Sequence, residues 1–194
     1  MGYSLVIIDD FYHNPDEVRD FALAQDFNVD GNYPGYRTKS FLTPSVEDHI
    51  AAHLSQQHGQ PIWPREEDTY TGAFQYTTSH DRTWIHADGW NDWAGVWYGT
   101  PNAPVTGGTA IYRHKETGLV KVPKLQDGSK DNKLMEVIEA DGNDYTKWEV
   151  VDMVGNIYNR LVLYPGDLFH ASVDYFGTNK TNGRLFQTFF FNTQ

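Results

Sequence analysis

From Thr69 to the C-terminus the chain is a succession of short segments rich in aromatic and β-branched residues, cut apart by Gly, Pro, Asn and Asp. Such punctuation limits each segment to the length of a strand, and these residue types suit the pleated, half-buried surface of a sheet. Residues 69–77 set Tyr70, Phe74 and Tyr76 among threonines, and further strands are predicted at 83–88, 94–99, 107–113, 160–164, 170–173 and 184–192. The earlier part of the chain reads differently. Ser4-Leu5-Val6-Ile7-Ile8-Asp9 is a short apolar strand. Asn14-Pro15-Asp16-Glu17 then opens a helix with an N-cap side chain, Pro at the first position and an acid reaching back. That helix is predicted to run to about Gln25. Residues 30–37, which include Asn32, form a turn-rich loop carrying Arg37 between aromatics, for which a surface turn is the first reading and service to a site the second. Pro44-Ser45 starts a second helix with Val46, Ile50 and Leu54 one turn apart.

Helices first and many strands after predict an α+β chain, mainly β, with the helices packed outside a sheet sandwich or barrel. The length of 194 residues suffices for a sizeable core in one domain. Residues 1–64 supply the first strand and the helices, and 65–194 the β core. The polar stretch 115–143 is an excursion from the sheet, expected to order as a lid over the site or a small hairpin. Residues 144–156 are predicted to be a helix carrying Trp148, Val151 and Val154 on one face.

Net charge of -11 argues against a general binder of phosphate backbones, so nucleic acid is an unfavoured partner. With no cysteine there are no disulfides and no thiolate metal sites, which leaves His and carboxylate as metal ligands. No signal pattern and no long apolar run is present, so no membrane association and a cytoplasmic location are expected.

Within this frame, His86-Ala87-Asp88 stands out. Residues i and i+2 of a strand point to the same side, so the imidazole and the carboxylate aim at one point. Two His and one carboxylate around open positions form the facial arrangement of non-haem Fe(II) oxygenases. The second His is sought in His170, at the end of Leu161-Val162-Leu163-Tyr164-Pro165-Gly166-Asp167-Leu168-Phe169. Alone the motif is weak: with 8 His and 26 acidic residues it arises about once by chance. The chain holds a second copy, His114-Lys115-Glu116, which reads as a solvated turn. Trp84, Trp90, Trp93 and Trp97 read as core aromatics, with Trp90 the best placed to serve a substrate.

The order of these features carries more than any one of them. Tyr76, His86-x-Asp88, Trp97-Tyr98, Gly107-Gly108-Thr109-Ala110-Ile111-Tyr112, Pro165-Gly166, His170 and Gly183-Arg184 follow one another along the chain. This resembles the Fe(II)- and 2-oxoglutarate-dependent oxygenases of the prolyl-hydroxylase-like group. The ending Leu185-Phe186-Gln187-Thr188-Phe189-Phe190-Phe191, with the opening Ile8-Asp9-Asp10-Phe11-Tyr12, resembles members carried by marine cyanophages and bacteria. The resemblance implies a double-stranded β-helix, a jelly-roll variant, with iron held by His86, Asp88 and His170. It implies that Arg184 clamps the distal carboxylate of 2-oxoglutarate with help from the Tyr76 hydroxyl, and that Tyr98 lines the pocket. Arg184 lies further beyond His170 than is usual in the group, and Arg160 and Lys180 are the alternatives. The implied reaction consumes O2 and 2-oxoglutarate, releases succinate and CO2 and hydroxylates a substrate, whether a protein side chain, a nucleobase or a small metabolite. A cupin-like metalloenzyme without 2-oxoglutarate, a glycan-binding jelly-roll module and an inactive interaction protein are the rival readings.

Overall fold

Two prolines set the starts of the N-terminal helices. In the computed structural model, which describes residues 4–31, 33–64 and 70–194, strand β1 (Val6–Ile8) leads to helix α1 (Pro15–Leu23). Asn32 of the expected loop, Arg65 at the expected boundary and Thr69 at the expected strand start lie outside those residues. Asn14 precedes α1 but gives its backbone no side-chain cap; its amide donates instead to Glu17 Oε2 at 3.3 Å. A short strand β2 (Tyr36–Ser40) follows where the sequence predicts only a turn. Helix α2 (Pro44–His58) is capped by the Thr43 hydroxyl, which accepts from Val46 N. Strand β3 (Pro61–Ile62) closes this half.

The β half comprises β4 (Ala73–Thr77), β5 (Trp93–Tyr98), β6 (Thr109–His114), helix α3 (Asn132–Ala140), β7 (Trp148–Val154), β8 (Leu161–Pro165), β9 (His170–Ser172) and β10 (Arg184–Thr193). All the strand pairings among the described residues are antiparallel. The larger sheet runs β1-β8-β5-β10-β4-β2, with β3 added to β10; the smaller runs β7-β6-β9. Alternation sorts the larger sheet's side chains onto two faces. Phe74, Trp97, Leu163, Leu185 and Phe189 pack outward against Ala22 of α1 and Ile50 and Leu54 of α2. Val96, Tyr98, Val162, Tyr164 and Phe186 pack inward against Ile111 and Val154 of the smaller sheet. Each fully buried Leu or Phe contributes roughly 1.5–3 kcal/mol. The molecule is therefore mainly β, with two helices packed outside the larger sheet, and no described helix is long and apolar enough to cross a membrane.

Three local expectations are overturned. Residues 144–156 are not a helix: after a 3-10 turn at Tyr145–Lys147, β7 pairs with β6 along its length, and the β-branched valines fit that ladder. Residues 83–88 form no strand beyond one antiparallel bridge from His86 to His170. The excursion 115–143 is not a lid. It holds a small turn bridged by Lys124 and Lys130, and α3, whose Met135 and Ile138 pack with Ile85, Trp148 and Phe169 on the outer face of the smaller sheet.

Candidate metal centre

Backbone pairing brings the three predicted ligands together. His86 N donates to His170 O at 3.0 Å and His170 N to His86 O at 2.8 Å, so the two histidines are direct cross-strand partners. Asp88 follows two residues on and points the same way. Its N–H donates to Gly166 O at 2.9 Å, and Gly89, at φ +61°, turns the chain away immediately afterwards. Pro165-Gly166 thus anchors the acid while Phe169 ties His170 into the core.

The imidazoles are already aimed. His86 Nδ1 lies 3.0 Å from Trp84 O and His170 Nδ1 2.9 Å from Leu168 O, so each donates Nδ1–H to a carbonyl and leaves its Nε2 lone pair free. His86 Nε2 stands 3.9 Å from Asp88 Oδ1, and His170 Nε2 3.6 Å from Asp88 Oδ2. One ligand atom from each residue lies within 4.8 Å of the others. These separations are too long for hydrogen bonds, and Asp88 Oδ2 is buried without a partner among the described residues. Donors about 2.1 Å from a shared ion at right angles lie about 3 Å apart, so a small closure suffices. Burial pulls both histidines down to about 4 and pushes Asp88 up to about 6. At neutral pH the set is two neutral imidazoles and one carboxylate, the protonation state that a divalent ion requires.

The triad opens on a cavity of about 280 Å³ with walls from Tyr33, Trp84, Trp90, Tyr164 and Phe190. Trp90 is exposed at the mouth, 5.1 Å from Phe190. Tyr164 and Tyr33 stand 4.7 and 5.3 Å from the rings of His170 and His86.

The other predicted site residues fare differently. Arg184 points inward and is fully buried, but it stands behind the rings of Phe186 and Tyr98, off the cavity wall. Its Nε donates to Gly107 O at 3.0 Å, and its Nη1 is buried without a partner. Tyr98 is likewise buried behind the wall, its hydroxyl donating at 2.8 Å to Thr109, which does line the cavity. Tyr76 does not join the cluster. It lies on the outer face of β4, stacked on Tyr36 and edge-on to Phe27, because strand alternation turns it away from Arg184. The hydroxyl on the inner face belongs to Thr77, the cross-strand neighbour of Arg184, and its Oγ1 is also unpartnered. The alternatives are engaged elsewhere: Arg160 grips Asp9 at 2.6 and 2.9 Å, and Lys180 donates to Leu23 O. His114, expected in a solvated turn, is buried, with Nδ1 3.1 Å from Thr117 Oγ1 and Nε2 3.0 Å from Asp141 Oδ2.

Sequence reasoning missed Gln75 and ranked a site role for Arg37 second; the two line the cavity from β4 and β2. The signal was slight: Tyr36-Arg37-Thr38 is a short alternating run obscured by the turn residues before it.

Among solved structures the fold resembles a prolyl hydroxylase from Trichoplax adhaerens, determined in complex with a hypoxia inducible factor oxygen degradation domain peptide fragment. The TM-score is 0.51 at 13% identity, over 96% of this chain and 83% of that one. The Fe(II)/(alpha)ketoglutarate-dependent dioxygenase TqaL is matched with a TM-score of 0.44 at 12% identity, over 97% and 82% of the two chains. The first of these likenesses concerns the fold alone. No curated protein matches the sequence. A family model described as a family of unknown function (DUF6445) matches residues 1–191, and the chain belongs to that family.

Proposed function

We propose that this chain is an Fe(II)- and 2-oxoglutarate-dependent dioxygenase built on a double-stranded β-helix, and that it hydroxylates its substrate. The observation that carries the reading is the convergence of His86 Nε2, His170 Nε2 and an unpartnered Asp88 carboxylate oxygen on one cavity wall. Bound iron with 2-oxoglutarate would supply O2 activation, oxidative decarboxylation to succinate and CO2, and hydroxylation of a C–H bond.

The chain's own part is to bind, orient and exclude water. His86, Asp88 and His170 would hold the ion on one face, their aim kept by the carbonyls of Trp84 and Leu168. Arg184, with Thr77 beside it, would hold the far carboxylate of the co-substrate. The unpaired Nη1 and Thr77 Oγ1 are donors that a buried carboxylate would satisfy, and a guanidinium keeps its charge in such a place. Tyr33, Trp84, Tyr164 and Phe186 would keep the reacting region dry.

Anaerobic titration with Fe(II) and then 2-oxoglutarate tests this. A visible metal-to-ligand charge-transfer band is expected in the wild type and lost in Asp88→Ala; a wild type that takes up no iron sinks the reading. A metalloenzyme that does not use 2-oxoglutarate is the second reading, favoured by the position of Arg184 behind Phe186. In that case iron binds, no band forms, and Arg184→Gln leaves turnover unchanged.

A further inference from the structure

Resting on the dioxygenase reading, we propose that Arg37 anchors the carboxylate of an acidic substrate, holding its apolar body in the cavity beside His86, Asp88 and His170. Arg37 stands on the inner face of β2, opposite Gln75, which in turn stands opposite Phe186 of β10. Only 2% of it is exposed. Its Nε and Nη2 donate to Gln75 Oε1 at 3.3 and 3.2 Å, Nη2 also reaches Tyr33 O at 3.3 Å, and the guanidinium lies 4.5 Å over the Tyr70 ring. All these acceptors are neutral and the bonds are long. Among the described residues no carboxylate pairs with Arg37, so within them its buried charge has only neutral partners. That is a costly arrangement unless a ligand supplies the anion.

The surroundings are shaped for this side chain. A Cβ on residue 31 would fall on Arg37 Nη1, so Gly31 leaves the space in which the guanidinium packs. Tyr33 joins Arg37 to the metal centre: its carbonyl accepts from Nη2 while its ring sits 5.3 Å from that of His86. The walls between are aromatic, from Tyr33, Trp84 and Trp90, and suit an apolar body. A lone guanidinium with part of its fork held by Gln75 matches a monoanion. A phosphate dianion would need more donors than this wall provides. The two inward guanidiniums, Arg184 and Arg37, then serve two different anions, co-substrate and substrate.

The test titrates the full chain calorimetrically, with and without anaerobic Fe(II) and 2-oxoglutarate, using matched probes: phenylacetate against phenylacetamide and hexanoate against hexanamide. Inorganic phosphate forms a separate arm. Each acid is expected to bind about tenfold or more tightly than its amide. The preference should vanish in Arg37→Gln and in Gln75→Glu, which sets a carboxylate on the guanidinium without emptying the wall, and persist in Arg184→Gln. Equal binding of acid and amide, no binding of either acid, tighter binding of phosphate, or a preference that survives both Arg37→Gln and Gln75→Glu overturns the proposal. So does a loss of 2-oxoglutarate affinity in Arg37→Gln with the acid preference intact. An Arg37-dependent acid preference in a protein that takes up neither iron nor 2-oxoglutarate upholds the anion subsite and overturns the dioxygenase reading instead.

Discussion

The two faces of the smaller sheet treat polar groups in opposite ways. On the outer face His114 is buried with both ring nitrogens engaged, by Thr117 and Asp141, and Trp148 Nε1 donates to Asp141 O. On the inner side Asp88 Oδ2, Arg184 Nη1, Thr77 Oγ1 and Asn156 Oδ1 are buried and, among the described residues, unpartnered. A buried donor or acceptor left unpaired costs about 1–3 kcal/mol, so four within one interior are not a fold's cheapest solution. The contrast separates two uses of the same chemistry. A histidine and an acid that satisfy each other stiffen a structure; a histidine and an acid held just out of reach wait for something else.

The sharpest way to break this comparison is to exchange the roles. Asp88→Ala should lower Fe(II) affinity at least about 100-fold by calorimetry, whereas Asp141→Ala should leave it unchanged. Equal effects would erase the distinction. Next, Arg184→Gln should raise the 2-oxoglutarate concentration for half-saturation by about 10- to 100-fold, and Thr77→Val by about tenfold. Tyr76→Phe, on the other face, should do nothing, and a loss there would return the tyrosine to the site. His114→Ala should destabilise the protein by about 2–4 kcal/mol in urea unfolding while Fe(II) affinity holds.

The smallest effect is that of pH. A proton on Asp88 competes with the ion, so metal affinity should be flat above about pH 6 and fall about tenfold per unit below it. In the metal-free protein His86 and His170, held near 4 against an ordinary 6.5, refuse protons that the unfolded chain accepts. Stability should therefore fall as pH drops from 6.5 to 4. Asp88, raised to about 6 from an ordinary 3.8, takes up its proton in the folded state first and offsets one histidine's share. Asp88→Asn should steepen the decline.

How much of this is legible in the sequence depends on how local each cause is. His86 and Asp88 share a side because of a two-residue period, and period survives reading without neighbours. Tyr76 is assigned to the site by resemblance and not by period, and at Tyr76 and Thr77 a step of one residue changes the face of the sheet. Trp148, Val151 and Val154 fit a helical spacing, yet their β-branched neighbours pair with β6, and only the partner strand decides. Arg37 and His114 were hidden for a different reason. Burial comes to Arg37 from Gly31 and Tyr70 and to His114 from Asp141, all distant in sequence or across a turn, and the one local sign is the short run Tyr36-Arg37-Thr38.

The carbonyls that hold His86 and His170 belong to Trp84 and Leu168, each two residues before its histidine. The rings are therefore aimed by their own short stretches of chain and by one bridge between them. On the dioxygenase reading, folding and loading would be separable events: the protein would emerge as a socket that iron enters afterwards. A pool depleted of iron would then remain a pool of intact protein, ready to be refilled when the ion returns.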